Sequence, residues 1–477
     1  GGLASVTAAH VLTKAGRRVT IVEREPEVGG LAKSLVHHSK HGTFSYDIGP
    51  HRFHSTDQRV HDETLAVLGE NVVRRARMSR ILLYNQFFDY PLKLSRALIQ
   101  LPKPVMAVAL WDYFRQAIKN LFVKGKDDNS EAWVVRRFGW KLYRIFFGVY
   151  TQKTWGVECT KISSDWASQR ISQASLWDTI KKSIFKPAGD VRSLVSEFHY
   201  PRHGGIGEIA RSYKRAAQKL GAVVHLESSV EAVLVVDGKA VGARIVDKLG
   251  RRETIRADHV LNTIPITRLV QMIEPAPAAE VVTASKAMNH RSMVFVYLIL
   301  NRPQLTPDHW LYIPEDTLTV HRISEFKNFS EECAPADKTL ICCEITCDFG
   351  DEIWKESDEN LRKIAVEDLV TIGLIKPDEV LETFSHREVF AYPLYTLGYR
   401  KHLDIVTGYL DKVGSLDTTG RQGLFKYNNM DHSIAMGFAA ADNILGSGDS
   451  IGIGRRGETH SSVRDQFRRE DCRCAAA

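Results

Sequence analysis

Two glycine-rich helix openings stand about 400 residues apart in this 477-residue chain, and a fold that uses both must bring its first and last segments together. The first runs from Gly1 through Gly2 to Ser5 and leads into apolar residues at helical spacing from Leu3 to Lys14, then into RRVTIVE, a β-branched run ending at Glu23. The second is GRQGLFKYNNMDHSIAMG, from Gly420 to Gly437. A helix feeding a parallel strand that ends in a carboxylate is the unit that holds a dinucleotide. Glycines admit a pyrophosphate close to the backbone, and Glu23, 18 residues after Ser5, is placed to accept ribose hydroxyls. In a G-x-G-x-x-G pattern Gly2 takes the second place and Ser5 the third, so the first place falls before Gly1. The chain therefore reads as a fragment whose first buried strand is missing.

Composition narrows the class. With 44% apolar and 25% charged residues the chain reads as globular and long enough for two or three lobes. Its net charge of +7 is modest, and its arginines form no stripe with interleaved aromatics, so no nucleic-acid partner is expected. Seven cysteines at irregular spacing imply no disulfide framework, and the thiols of TLICCEITCDF read as buried and reduced in a strand; a cytoplasmic location is the expectation. No apolar run is long enough to span a bilayer. Leu101 to Val123 comes nearest, but Asp112, Arg115 and Lys119 interrupt it. It reads as an amphipathic helix packed on the protein, with a position on a membrane surface as the alternative.

The order of elements predicts an α/β chain in which a Rossmann-like dinucleotide domain is interwoven with a mixed-sheet plus helical substrate domain. The first domain takes residues 1–75, 196–270 and 391–446, and the second takes 76–195, largely helical, and 271–390, rich in strands. ILLYNQFFDYPL reads as a hairpin turning at Asn85 and Gln86. GAVVHLESSVEAVLVVDGKAVGARIVD reads as three strands with a turn at Asp237 and Gly238, and Ser357 as the cap of a helix. Residues 447–477 lack an apolar period and read as a disordered tail.

Gly29 and Gly30 would let the backbone approach a pyrophosphate, with Lys33 and Ser34 binding its oxygens. Five histidines lie between His37 and His54, but their spacing and neighbours favour no metal site. Instead GPHRFH, opened by a tight turn at Gly49, reads as a loop facing a flavin ring, with His51 or Arg52 touching flavin or substrate. At the other end Gly420 and Gly423 permit close approach, and a helix starting near Asp431 would aim its free N–H groups at the ring edge where reduced flavin gathers negative charge. Asp431 itself reads as a helix cap or ribityl contact.

Together the glycine loop, VERE-x3-GG, YDIGPHRFH, the segments Tyr150 to Ile171 and Phe198 to Ala210, and YNNMDHSI resemble the FAD-dependent amine oxidase and protoporphyrinogen oxidase-like superfamily, and within it the UDP-galactopyranose mutase-like branch. The resemblance implies that FAD is the cofactor, its ADP half held by Gly2, Ser5, Glu23, Gly29, Gly30 and Lys33, with Val230 at the adenine. It places Gly420, Arg421, Tyr427, Asn428, Asn429, Met430 and Asp431 around the ring and ribityl chain, and Trp155 and Gly156 at the lobe interface. The mutases' R-[IL]-P-x-R and Y-T-G-x-I-D segments are absent, and EFHYPRHGGIG and LNTIPITRL stand in their places.

The expected activity is hydride transfer from an organic small-molecule substrate to FAD, with His51, Arg52 and Tyr427 as substrate-side residues. A non-redox mutase acting on a nucleotide sugar is the alternative, with Arg170, Arg202, Arg322 and Arg400 as candidate cations for its diphosphate. A flavin binder without catalysis is the third reading. A homodimer and peripheral membrane contact complete the expected partners.

Overall fold

In the computed structural model the helix Leu3–Lys14 starts directly after Gly2, whose extended backbone caps it with no side chain. The structure describes residues 1–90, 98, 100–123, 125–165, 167 and 197–446. Arg170, Cys472, Cys474 and the 447–477 segment lie outside them. The helix feeds the strand Thr20–Val22, which pairs in parallel with Val223–His225. Val260–Asn262 pairs in parallel with Leu416–Thr418, so strands from widely separated segments meet at this end of the molecule.

The closing helix, Met430–Leu445, packs on the first. No side chain separates them at Gly437, where a Cβ would fall on Thr7 Oγ1 and the Ala4 carbonyl. Thr7 suits this contact because its hydroxyl donates back to Leu3 O at 2.9 Å, leaving no polar group unsatisfied in the apolar seam.

A second layer is a seven-stranded mixed sheet in the order Val380–Pro393, His290–Leu300, Thr339–Cys347, Arg322–Glu325, Trp310–Tyr312, Ser79–Leu83, Gln86–Asp89. Its second and third strands read MVFVYLIL and TLICCEITC because both of their faces are covered, which a continuous apolar run requires. Cys342, Cys343 and Cys347 are buried free thiols there, as is Cys333 outside the strand. Ser357 accepts from Asn360 N at 3.2 Å and caps Asp358–Thr371 as expected. Asp237 and Gly238 both have positive φ in the expected turn. The other hairpin turns one residue earlier than predicted, since the left-handed pair is Tyr84 and Asn85.

The helical region carries Lys103–Phe122 packed against Ser130–Leu142. Lys103–Phe122 packs as expected, with Ala109 and Tyr113 buried and Val105, Met106 and Leu110 against the same core, but a second apolar face of the helix is left exposed.

Asp47 joins the layers. Fully buried, it accepts from Ser34 Oγ at 2.5 Å, Tyr200 OH at 2.7 Å and Ile206 N at 3.1 Å, while its carbonyl accepts from Tyr297 OH at 2.9 Å. Burial raises its carboxyl from the ordinary 3.8 to about 6 against the opposing effect of those donors. The folded state therefore holds this proton more tightly than the unfolded one. The resulting stability is complete below the unfolded value and is lost as pH rises through about 6. From pH 7 to pH 5, thermal unfolding of the native chain should gain about 1 kcal/mol relative to Asp47→Asn; parallel melting profiles for the two proteins contradict this. Gly437→Ala should cost about 1–3 kcal/mol, read from denaturant midpoints, because the helices must separate to admit the methyl group.

Candidate active site

At one end of the molecule three backbone segments converge. Gly29 N donates to Gly1 O at 2.8 Å, and a Cβ on Gly30 would lie 3.4 Å from Gly2 Cα. Gly29 and Gly30 have φ of +124° and +57°, conformations that only glycine adopts without strain in such close contact. No side chain caps the first helical turn, where Gly2 O accepts from Ser5 N at 3.0 Å, so the positive end of the helix dipole is left for a ligand. Glu23 stands beside it, with Oε2 3.2 Å from the Gly1 nitrogen and Oε1 accepting from Glu25 N at 2.9 Å. Its backbone is clamped to the Val223–Val236 region by Glu23 N to His225 O and Ser228 N to Glu23 O. Val230, two residues beyond Ser228, lies in the adjoining strand Ser228–Val236. Ser5 sits within the first helical turn.

Two residues expected at the pyrophosphate are engaged elsewhere. Ser34 donates its hydroxyl to Asp47 and accepts from Gly207 N at 2.7 Å. Lys33 is only 6% exposed, with its ammonium 2.8 Å from Glu388 Oε1, and Glu388 also meets His386 Nε2 at 2.9 Å. A buried ammonium needs a carboxylate partner, and the sheet of the second lobe supplies one.

The other end gathers the remaining predicted residues. Gly420, with φ of +78°, opens a short helix where a Cβ would lie 3.1 Å from that of Ala4, and Arg421 follows. The Arg421 guanidinium lies 4.3 Å from the Tyr427 ring centroid and 5.4 Å from that of Tyr392, while its buried Nε has no hydrogen-bond partner. Trp155 closes the group, 5.7 Å from Tyr392 and 6.3 Å from Tyr427. Gly156 follows with φ of +65°, where a Cβ would overlap the Arg291 guanidinium. Asn429, rather than Asp431, is the N-cap of Met430–Leu445, and it forms a reciprocal box with His432. Asp431 lies inside the first turn, where burial raises its carboxyl and His432 opposes that rise.

Loop 49–54 lies across this group. A Cβ on Gly49 would approach Phe295 at 3.2 Å and Glu344 Oε2 at 3.5 Å. Glu344 is the partner of Arg322, which donates Nε to Oε1 at 2.7 Å and Nη2 to Oε2 at 2.6 Å; Glu344 has no exposed surface and Arg322 keeps 16%. Arg322 Nη2 also points to Tyr392 OH at 3.4 Å. Such a pair persists in the interior because its bidentate geometry offsets much of the desolvation of both charges. His51 donates Nδ1–H to Gly49 O at 3.2 Å. Burial, then Arg421, then Arg322, lowers its imidazole to about 3, so it stays neutral with the Nε2 lone pair as an acceptor. Arg52 lies 5.0 Å from the Trp310 ring centroid, and its buried Nη1 has no partner.

The structure thus brings His51, Arg52, Gly49, Arg421, Tyr427 and the start of Met430–Leu445 into one neighbourhood. Of the four candidate diphosphate cations, Arg322 alone lies in it among the described residues; Arg202 is exposed and Arg400 pairs with Asp165 at 2.6 Å. Sequence reading missed Glu344. Its signal was a lone carboxylate inside ICCEITC, a position tolerated only where a cation meets it. Among the described residues no group of three or more His, Cys, Asp or Glu is gathered for a metal. His37 instead meets Glu382 at 2.7 Å and stacks on Phe384, and His38 meets Thr43.

The two ends suit FAD chemically. The uncapped helix start, the glycine pair and Glu23 match a phosphate and a ribose, and the buried unpartnered nitrogens of Arg421 and Arg52 match an anionic, acceptor-rich group near the aromatic cluster. Comparison with known proteins agrees. The family model for flavin containing amine oxidoreductases matches residues 3–403. A reduced UDP-galactopyranose mutase is similar in fold, with a TM-score of 0.82 at 21% identity over 98% of this chain and 95% of that one. A candidate protoporphyrinogen oxidase from Exiguobacterium sp. 255-15 gives 0.69 at 18% over 93% and 97%. Putrescine oxidase bound to putrescine gives 0.58 at 15% over 93% and 97%. The chain belongs to the family of flavin-containing amine oxidoreductases, and its cofactor is FAD.

Proposed function

We propose that this protein oxidises an organic small-molecule substrate by hydride transfer to FAD. The observation that carries the reading is the wall of Trp155, Tyr392 and Tyr427 beside Arg421 and the start of Met430–Leu445. In this reading Gly2, Ser5, Gly29 and Gly30 receive the pyrophosphate, Glu23 accepts the adenosine ribose hydroxyls, and Val230 borders the adenine. Bound FAD supplies the hydride acceptor and passes electrons on to oxygen or another acceptor. The chain's own residues supply alignment and exclusion of water. Aromatic side chains keep the reacting face dry, and the helix N-terminus with Arg421 favours negative charge at the ring edge. His51 Nε2 accepts a substrate N–H or O–H without gaining charge, and Arg52 holds an anionic or acceptor group of the substrate over Trp310.

One observation favours a second reading, a mutase-type reaction on a nucleotide sugar. Arg52 and Arg421 each keep a buried guanidinium nitrogen without a partner, as a diphosphate site requires, and the fold resembles that of a UDP-galactopyranose mutase. Against it, Arg322 is already neutralised by Glu344.

Glu23→Ala should weaken FAD binding about 10- to 100-fold, the worth of a charge-assisted pair of hydrogen bonds, in equilibrium titrations followed by flavin fluorescence; unchanged affinity places the ribose elsewhere. Anaerobic mixing of the FAD-loaded protein with a panel of amines should bleach the visible flavin band for at least one of them. Ring contraction of UDP-galactose by the reduced protein, with no bleaching by any amine, would establish the mutase reading instead.

A further inference from the structure

The helix Lys103–Phe122 is apolar on two faces, one packed in the core and one exposed. A helix docked on its own protein buries its apolar stripe. This one turns Val108, Trp111, Phe114, Ile118, Leu121 and Phe122 outward, and Trp111, Leu121 and Phe122 are 72%, 80% and 82% exposed. Positions 108, 111, 114, 118, 121 and 122 recur at three- and four-residue steps, so they form one continuous face. Its inward side packs Val105, Met106, Ala109, Leu110 and Tyr113 into the core and carries two hydrogen-bonded amides. Gln116 donates to Asn120 Oδ1 at 2.9 Å, and Asn120 donates to Arg136 O at 2.6 Å.

The charge around this face is predominantly basic. From Lys103 to Asp128 the sequence carries five basic residues and three acids, of which Asp127 pairs with Arg136 and Arg137 and Asp128 is exposed at the far end, while Asp112 lies within the helix. That acid is turned away and engaged, accepting from Lys141 N at 2.8 Å and pairing with Arg115 at 3.0 Å. Lys103, Lys119 and Lys126 stand exposed. The outward surface is thus apolar at its centre, aromatic in part, and basic at its rim.

We infer that this helix docks the protein on an anionic lipid surface, lying in the plane of the interface with Trp111, Ile118, Leu121 and Phe122 entering the headgroup boundary and the lysines meeting lipid phosphates. Spanning is excluded by Asp112, Arg115 and Lys119 at its middle, and no helix among the described residues is long and apolar enough to cross a bilayer. A symmetric contact with a second copy is disfavoured by the same charges, because a two-fold interface would bring two basic rims together.

The test is co-sedimentation of the FAD-loaded full chain with phosphatidylcholine vesicles, with and without a third of phosphatidylglycerol. Binding should require phosphatidylglycerol and fall with added salt. The double variant Trp111→Glu, Leu121→Glu should lower the bound fraction at least about tenfold while leaving the melting temperature and flavin content unchanged, since both side chains are exposed. Lys103→Gln, Lys119→Gln should weaken binding without altering the apolar face. Absence of vesicle binding overturns the inference. So does a native dimer, seen by light scattering, that the glutamate variant converts to monomer, because the face then belongs to a protein interface.

Discussion

Contact between the first and last helices without an intervening side chain is the constraint on which the architecture depends. Thr7, the Ala4 carbonyl and Gly437 leave no room for even a methyl group, and Gly420 approaches Ala4 in the same seam. This closeness brings the N-terminus of Leu3–Lys14 and the segment opening Met430–Leu445 into one layer, although the whole second sheet lies between them in sequence. Two helix N-termini then stand in one layer, as the proposed placement of FAD uses them. Either alone could be an ordinary capped end.

Buried polar pairs tie the seven-stranded sheet to the rest of the fold. Asp47 ties the Ser34–Ser39 and Gly42–Asp47 ribbon to Tyr200, Ile206 and Tyr297, and Lys33 reaches Glu388 across the lobes. Arg322 with Glu344 stiffens the floor beneath loop 49–54, so that His51 and Arg52 are held by backbone geometry more than by their own contacts. Removing either partner would leave an uncompensated buried charge, which couples the shape of the site to the integrity of the sheet.

Local chemistry made much of this legible. The Leu3–Lys14 helix, the Asp237-Gly238 turn, the Ser357 cap and the buried strands followed from spacing and residue type, because each is fixed within a few residues. Partnerships across the chain were not legible. Nothing near Ser34 announces Asp47 and Gly207, and nothing near Lys33 announces Glu388, so both were expected to face a phosphate. The cap at Asn429 instead of Asp431 is a smaller error of the same kind, since either side chain can cap and only the backbone path chooses. In Lys103–Phe122 periodicity revealed a packed helix but not that a second apolar face stays exposed.

The proposed placement of FAD, extended from Glu23 to Arg421, makes a demand that no mononucleotide site would share. The adenosine end must contribute as much to binding as the ring end. Calorimetric titration of the flavin-free protein with FAD, FMN and ADP tests this most directly. FAD should bind at least about 100-fold more tightly than FMN, with ADP competing against it. Equal affinity for FAD and FMN, or FAD binding indifferent to ADP, would mean that the glycine pair and Glu23 do not hold the cofactor.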